Sequence, residues 1–239
     1  MTLVVTGPAM AARLEALEAL NLRRQIEALA PEGRHRWEAI PGGVAGFCRI
    51  TPDRKLNHVV GLGMEGPVDE TMLARLEAAY DEIGAAPEID LCPHAHSSAL
   101  ASLAARGWRA VNFSNTYALV LSGDEAAPVG GIEMRPVEDE AAFIAMSADG
   151  FGGPDNPRPR ELLEMLAVSA LRRPDVTTYV AWMDGRAVGT AAMAVMGKDG
   201  HLFLASTLPE ARGRGVQAAM LAARIADAAN AGAEVLSVT

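Results

Sequence analysis

Apolar positions recur at the helical period over Ala9–Leu29, which predicts one or two helices there. The pattern then shortens to apolar runs of strand length, Gly43–Ile50 and Asn57–Gly63. Asp69–Ile83 is an amphipathic helix, with Asp69 as N-cap and Met72, Leu73, Leu76 and Ala79 on one face. Glu88–Cys92 reads as a strand, Ser97–Arg106 as a short helix stopped by Gly107, and Trp108–Leu121 as one or two strands. A second round follows. Ile132–Pro136 is a strand, and Val137–Ser147 is a helix with Glu138, Asp139 and Glu140 in the first turn, where the macrodipole favours acids. Asp149–Arg158 is a loop rich in glycine and proline, and Arg160–Leu171 a further helix. Thr177–Met183 and Ala187–Met196 flank Asp184-Gly185, a hairpin signal. Gly200–Leu208 is a strand, Val216–Ala231 a helix closed by Gly232, and Glu234–Thr239 a last strand. The alternation predicts an α/β (α+β) chain.

Between the two rounds, residues 122–131 are small, polar and broken by Pro128, Gly130 and Gly131. They read as a linker between domains at 1–121 and 132–239. Half of the 239 residues are hydrophobic and only 5% aromatic, so the core is mostly alanine, leucine and valine. Lys plus Arg total 21 against 30 Asp plus Glu, a net charge of −9. That balance argues against nucleic acid and favours cationic partners such as amines. No apolar run is long enough to span a bilayer and no convincing signal peptide is present, so the expectation is a cytoplasmic protein with no membrane partner. Cys48 and Cys92 lie far apart and imply no disulfide framework.

The chemistry concentrates in Phe203–Ala223: a strand, a Pro-Glu turn, the loop Arg212-Gly213-Arg214-Gly215, and an alanine-rich helix. The first N–H groups of a helix lack internal partners and sit at the positive end of its dipole, so such a junction can hold a phosphate. Gly213 and Gly215 let the backbone approach a ligand, and Arg212 and Arg214 add charge. No Lys-Ser or Lys-Thr follows the glycines, which excludes a Walker A loop.

The loop resembles the pyrophosphate loop of the GNAT (GCN5-related) acetyltransferases, Gln/Arg-x-x-Gly-x-Gly/Ala, here Arg212-Gly213-Arg214-Gly215-Val216-Gln217. Gln217 replaces the small last residue, so its side chain must point away from the ligand. The family's Val-x-Pro corresponds to Thr207-Leu208-Pro209. Leu100–Leu121 also resembles the closing helix and strands of such a domain, although the first half has no Arg-x-x-Gly-x-Gly. The resemblance therefore implies two GNAT-like halves, each a mixed, mostly antiparallel sheet flanked by helices. The first is degenerate and only the second binds acetyl-CoA.

It further implies acyl transfer, most simply acetyl, from CoA to a primary amine of a small molecule or peptide. The amine attacks the thioester directly while the enzyme orients both substrates and points a backbone N–H at the oxyanion. By analogy Ala205, Ser206 and Thr207 pair with the pantetheine arm, Arg212 through Ala218 hold the pyrophosphate, and Phe151 and Asp155 are candidate acceptor contacts. A complete domain of this kind continues with a helix and two strands carrying a catalytic tyrosine. The chain stops short of these, so no catalytic acid is assigned, and the sheet would have to be completed by the first half or by a longer natural chain. His201, on the same strand, reads as a strand-end surface histidine more readily than as the base. A homodimer is an open expectation.

Two other motifs compete. His58–Gly66 is a strand running into Gly61-x-Gly63-x-x-Gly66, with Glu88 and Asp90 where a dinucleotide fold places its ribose acid. Pro67 and the late N-cap Asp69 argue for a plain glycine-rich turn instead. An NAD-type oxidoreductase and a non-catalytic acyl-CoA-binding protein stay as alternatives. Cys92, His94 and His96 lack the further ligands a metal site needs, so none is expected.

Overall fold

A computed structural model describes residues 7–30, 33–50, 54–123, 130–152 and 159–239. The chain divides into two compact units, Met1–Asn115 and Thr116–Thr239.

In the first unit helix α1 (Pro8–Leu29) packs on a four-stranded sheet of β1 (His35–Ile40), β2 (Gly43–Cys48), β3 (Val59–Val60) and β4 (Ile89–Asp90), in that order. Strands β1, β2 and β3 run antiparallel in succession, whereas β3 and β4 are parallel. The crossover between them is α2 (Glu70–Asp81), the amphipathic helix expected from sequence. Its Tyr80 is fully buried, stacks against Phe47 and donates a 2.9 Å hydrogen bond to the Gly46 carbonyl. A short helix, α3 (Ser97–Ala105), follows and ends before Gly107, whose φ is +80°. Strand β1 was not anticipated, because His35–Ile40 mixes charged and apolar residues without alternation.

The second unit is a six-stranded sheet in the order β5 (Tyr117–Val120), β10 (Val235–Val238), β9 (Asp199–Thr207), β8 (Arg186–Met196), β7 (Val176–Met183), β6 (Ile132–Arg135). Helices α4 (Glu140–Phe151) and α5 (Arg160–Arg172) cover one face and α6 (Val216–Asn230) the other. Side chains therefore alternate between two cores. Tyr179, Ala181 and Met183 pack with Met220 of α6, while Val180 packs with Phe143 of α4 and Ala167 of α5. With both faces covered, β8 is almost wholly buried, which is why it reads as a continuous apolar run.

The domain boundary lies earlier than the linker. Strand β5 pairs antiparallel with β10, Tyr117 opposite Val238, and so belongs with the second unit. The segment ahead of the proposed linker thus supplies a strand beside β10. Residues 108–116, expected to be strand, form none, and Val111 and Phe113 there are exposed. Residues 124–129 of the linker lie outside the described residues.

Candidate active site

Strands β9 and β10 run parallel at the start of β9. The register runs from Asp199 opposite Val235 to His201 opposite Ser237. Beyond it, among the described pairings, β9 pairs only with β8. The β8–β9 register shifts between Thr190 and Ala192, and Leu204 has φ +52°, a left-handed conformation that costs a branched side chain energy. The bulge bends β9 just ahead of Ala205, Ser206 and Thr207.

A buried arginine supports this bend. Arg224 of α6 is only 2% exposed and donates from Nε to the Met220 carbonyl and from Nη1 to the Ala192 and Phe203 carbonyls, at 3.0, 3.3 and 3.5 Å. The last two carbonyls flank the register shift, so the guanidinium satisfies acceptors that the bulge displaces. Burial pulls its pKa down to about 10. Nearby, burial and the 2.8 Å hydrogen bond to Asp227 push the Tyr179 hydroxyl well above its usual range.

At the far end of β9 a single turn, Pro209–Ala211, leads into the glycine loop. Gly213 and Gly215 have φ of +73° and +85°, and a Cβ on either would meet no atom within 4 Å. The chain conformation requires glycine here, and the space above it is open. Gly215 caps α6 without a side chain, and the first intrahelical bond is Ala219 N–H to the Gly215 carbonyl. The N–H groups of Val216, Gln217 and Ala218 consequently have no intrahelical acceptor. Val216 buries its side chain in the core, whereas Gln217 and Ala218 are exposed. A groove of about 590 Å³ borders this end, lined by Met183, Asp184, Arg214, Gly215, Ala218 and Ala222 among others.

The two arginines of the loop behave differently from expectation. Arg214 pairs with Asp184 of the β7–β8 turn at 2.8 Å, in an exposed contact of the kind usually worth under about 1 kcal/mol. Arg212 turns towards the opposite side. Its Nη2 donates to the Gly150 carbonyl at 3.0 Å and its Nε to the Thr207 carbonyl at 3.3 Å. Arg212, expected from sequence to add charge for a phosphate, directs its Nε and Nη2 at main-chain carbonyls on the α4 side of the strand.

The end of α4 is fastened to β9 in a second way. Ser147 Oγ lies 2.8 Å from Thr190 Oγ1, which lies 3.1 Å from Ser206 Oγ, all three side chains buried. Gly150 packs on the same serine, since a Cβ there would stand 2.4 Å from Ser206 Oγ. Thr207 Oγ1 is buried without a partner. Phe151 is the last residue of α4 rather than part of a loop, and packs against the α4–α5 core. Asp155 lies outside the described residues. His201 is not a surface residue. It is 5% exposed, stacks on Phe203 and bonds through Nδ1 to Ser237 Oγ at 3.1 Å, across the β9–β10 pair. The hydroxyl chain and Arg224 carry no sequence motif, so only the fold brings them to light.

The competing glycine motif is built otherwise. A Cβ at Gly61 would lie 2.1 Å from the Gly42 carbonyl, and one at Gly63 3.1 Å from Ala99 Cβ, so these glycines make room for the protein's own chain. Asp69 caps α2 through the Thr71 N–H at 2.9 Å. Glu88 and Asp90 are both bound by Arg54, which occupies the acids a ribose would need. Burial raises the Glu15 carboxyl to about 7, even though it accepts the Gly61 N–H. Cys92 is buried and His96 caps α3 through Nδ1 to the Ser98 N–H, so neither is arranged as a ligand. Among the described residues, no group of three or more His, Cys, Asp or Glu could hold a metal. No helix among them is long and apolar enough to cross a membrane.

Residues 130–238 match the family model described as Acetyltransferase (GNAT) domain. No curated protein sequence matches the chain. Among solved structures, a GCN5-related N-acetyltransferase from Kribbella flavida is 19% identical with a TM-score of 0.66, the alignment covering 96% of this chain and 85% of that one. A functionally unknown conserved protein from Staphylococcus epidermidis ATCC 12228 is 11% identical with a TM-score of 0.55, over 84% of this chain and 81% of that one. Both likenesses span the two units, each with its mixed sheet flanked by helices, and they concern the fold. The second half of the chain thus matches the GNAT acetyltransferase domain model, and the chain as a whole shares its fold with these structures.

Proposed function

We propose that the second unit transfers an acetyl group from acetyl-CoA to a primary amine of a small molecule or peptide by direct attack. The observation that carries this reading is the glycine loop that follows β9 and opens α6 with no side-chain cap and with open space above it. The main chain of Ala205–Thr207, beyond the register shift, pairs with the amide-bearing pantetheine arm as an added strand would. The N–H groups of Val216, Gln217 and Ala218 point at the pyrophosphate, with space above Gly213 and Gly215 for its oxygens. Arg214, released from its exposed partner, can add charge there. Thr207 Oγ1, buried and unpartnered, gives the arm one more polar contact.

In this role the chain contributes orientation and main-chain dipoles. An N–H of β9 beyond the bulge meets the thioester oxygen as negative charge develops on it, and Arg224 holds the strand in the shape that aims it. The net charge of −9 favours an amine over an acidic acceptor.

Calorimetric titration with acetyl-CoA, with NADH in parallel, tests the reading. Micromolar binding of acetyl-CoA and none of NADH is expected, followed by amine-dependent thiol release in a screen of primary amines. Thiol release without any amine dependence would reduce the protein to an acyl-CoA binder with slow hydrolysis. Failure to bind acetyl-CoA would remove the proposal.

A further inference from the structure

The first arginine of the glycine loop has a partner that no phosphate role explains. Helix α4 ends at Phe151, and the carbonyls of its last turn have no acceptor role left within the helix. Gly152 N–H takes those of Ala148 and Asp149. The Gly150 carbonyl is taken by Arg212 Nη2, at 3.0 Å, from a residue 62 positions later in the chain. The same guanidinium reaches the Thr207 carbonyl through Nε at 3.3 Å. A fixed planar fork with donors on two edges can join two carbonyls in this way; a lysine has one point of charge and cannot match both directions. A cation at a helix C-terminus also meets the negative end of the dipole, so α4 draws Arg212 away from the positive N-terminus of α6.

We infer that Arg212 is a positioning residue that fastens the C-terminal end of α4 to the strand segment Ala205–Thr207, and is not a phosphate ligand. The inference rests on the acyl-CoA reading of that segment and assigns the arginine to its acceptor side. The two fastenings differ in kind. The Ser147–Thr190–Ser206 hydroxyl chain is wholly buried and holds the body of α4, whereas Arg212 is exposed and holds only its last turn. Removing Arg212 therefore frees the end of α4 without unfolding the unit. A ligand that fixes Thr207 is felt at Gly150 through the guanidinium.

The test compares wild type, Arg212→Met and Arg212→Lys by hydrogen exchange of residues 147–152 with and without CoA, and by calorimetric CoA affinity across a salt series. In the absence of CoA, exchange at the end of α4 should rise about tenfold in both variants, because neither can bridge the two carbonyls. Saturating CoA should slow that exchange in wild type and not in the variants. CoA affinity should stay within about threefold of wild type, with the same salt slope, in Arg212→Met. The inference is overturned if Arg212→Met binds CoA about tenfold more weakly with a shallower salt slope while Arg212→Lys binds normally. It is equally overturned if exchange at 147–152 is unchanged. If the wild type binds no CoA, the acyl-CoA reading falls, and the CoA-free exchange comparison still decides whether the bridge exists.

Discussion

The two units carry the same motif and use it oppositely. In each, an antiparallel pair leads through a strand into a glycine-bearing turn, a helix, and a parallel partner: β2–β3–α2–β4 in the first, β8–β9–α6–β10 in the second. In the second the helix N-terminus has no side-chain cap and the glycines face open space. In the first the same positions are filled by the chain itself. Asp69 caps the helix, the Gly61 N–H is given to Glu15, and Gly61 and Gly63, though not Gly66, abut Gly42 and Ala99. A glycine-rich turn before a helix is thus a ligand site only where the fold leaves its donors unspent. Two glycine motifs that look alike as letters differ in what lies opposite them.

The comparison is most sharply broken at Gly61. Gly61→Ala places a Cβ against the Gly42 carbonyl and forces φ +83° on an alanine, so the first unit should lose about 3 kcal/mol. Urea unfolding checks this, and CoA affinity should not change in the protein that stays folded. A mutant of unaltered stability would mean that the glycines of the two units are not doing different jobs.

A somewhat smaller effect is expected from Glu15. Its folded pKa of about 7 lies above the ordinary 4.5, so the folded state holds its proton after the unfolded chain has released it. Stability should therefore fall as pH rises from about 4.5 to about 7 and level off above that. The contribution is about 2 kcal/mol after allowing for partial exposure. Glu15→Gln should flatten denaturation midpoints over this window; an unchanged pH dependence would remove Glu15 from the comparison.

In the second unit Gly215→Ala should weaken acetyl-CoA about tenfold, since a methyl group enters the space above the helix N-terminus. The φ of +85° adds roughly 1 kcal/mol of strain to folding, so binding has to be read on protein shown to be folded. The smallest change is Asp69→Ala. Losing the α2 cap should cost about 1 kcal/mol of stability by thermal melting. A gain of phosphate or CoA binding on its removal would show that only the cap separates the two loops.

Much of this was legible in the letters because it depends on neighbours in sequence. The α2 cap, the Asp184-Gly185 turn with φ of +53° and +75°, and the glycines opening α6 are all local, and each appears where the sequence puts it. Other features were misread for an equally physical reason. His35–Ile40 becomes a strand only because β2 lies beside it, and Phe151, at the end of α4, packs on a core built from residues far along the chain. His201 is buried because Ser237, 36 residues on, faces it.

By itself the sequence determined the two rounds of alternating elements, the break into halves, the acidic balance and the glycine-arginine loop at a helix start, since these follow from composition, periodicity and backbone freedom within a few residues. Tertiary structure alone decided which glycine turn is open, where β9 shifts register against β8, that β5 joins the second sheet, and which way Arg212 points. Those depend on atoms brought together from distant parts of the chain, and a donor's role is set by the acceptor that packing places within its reach.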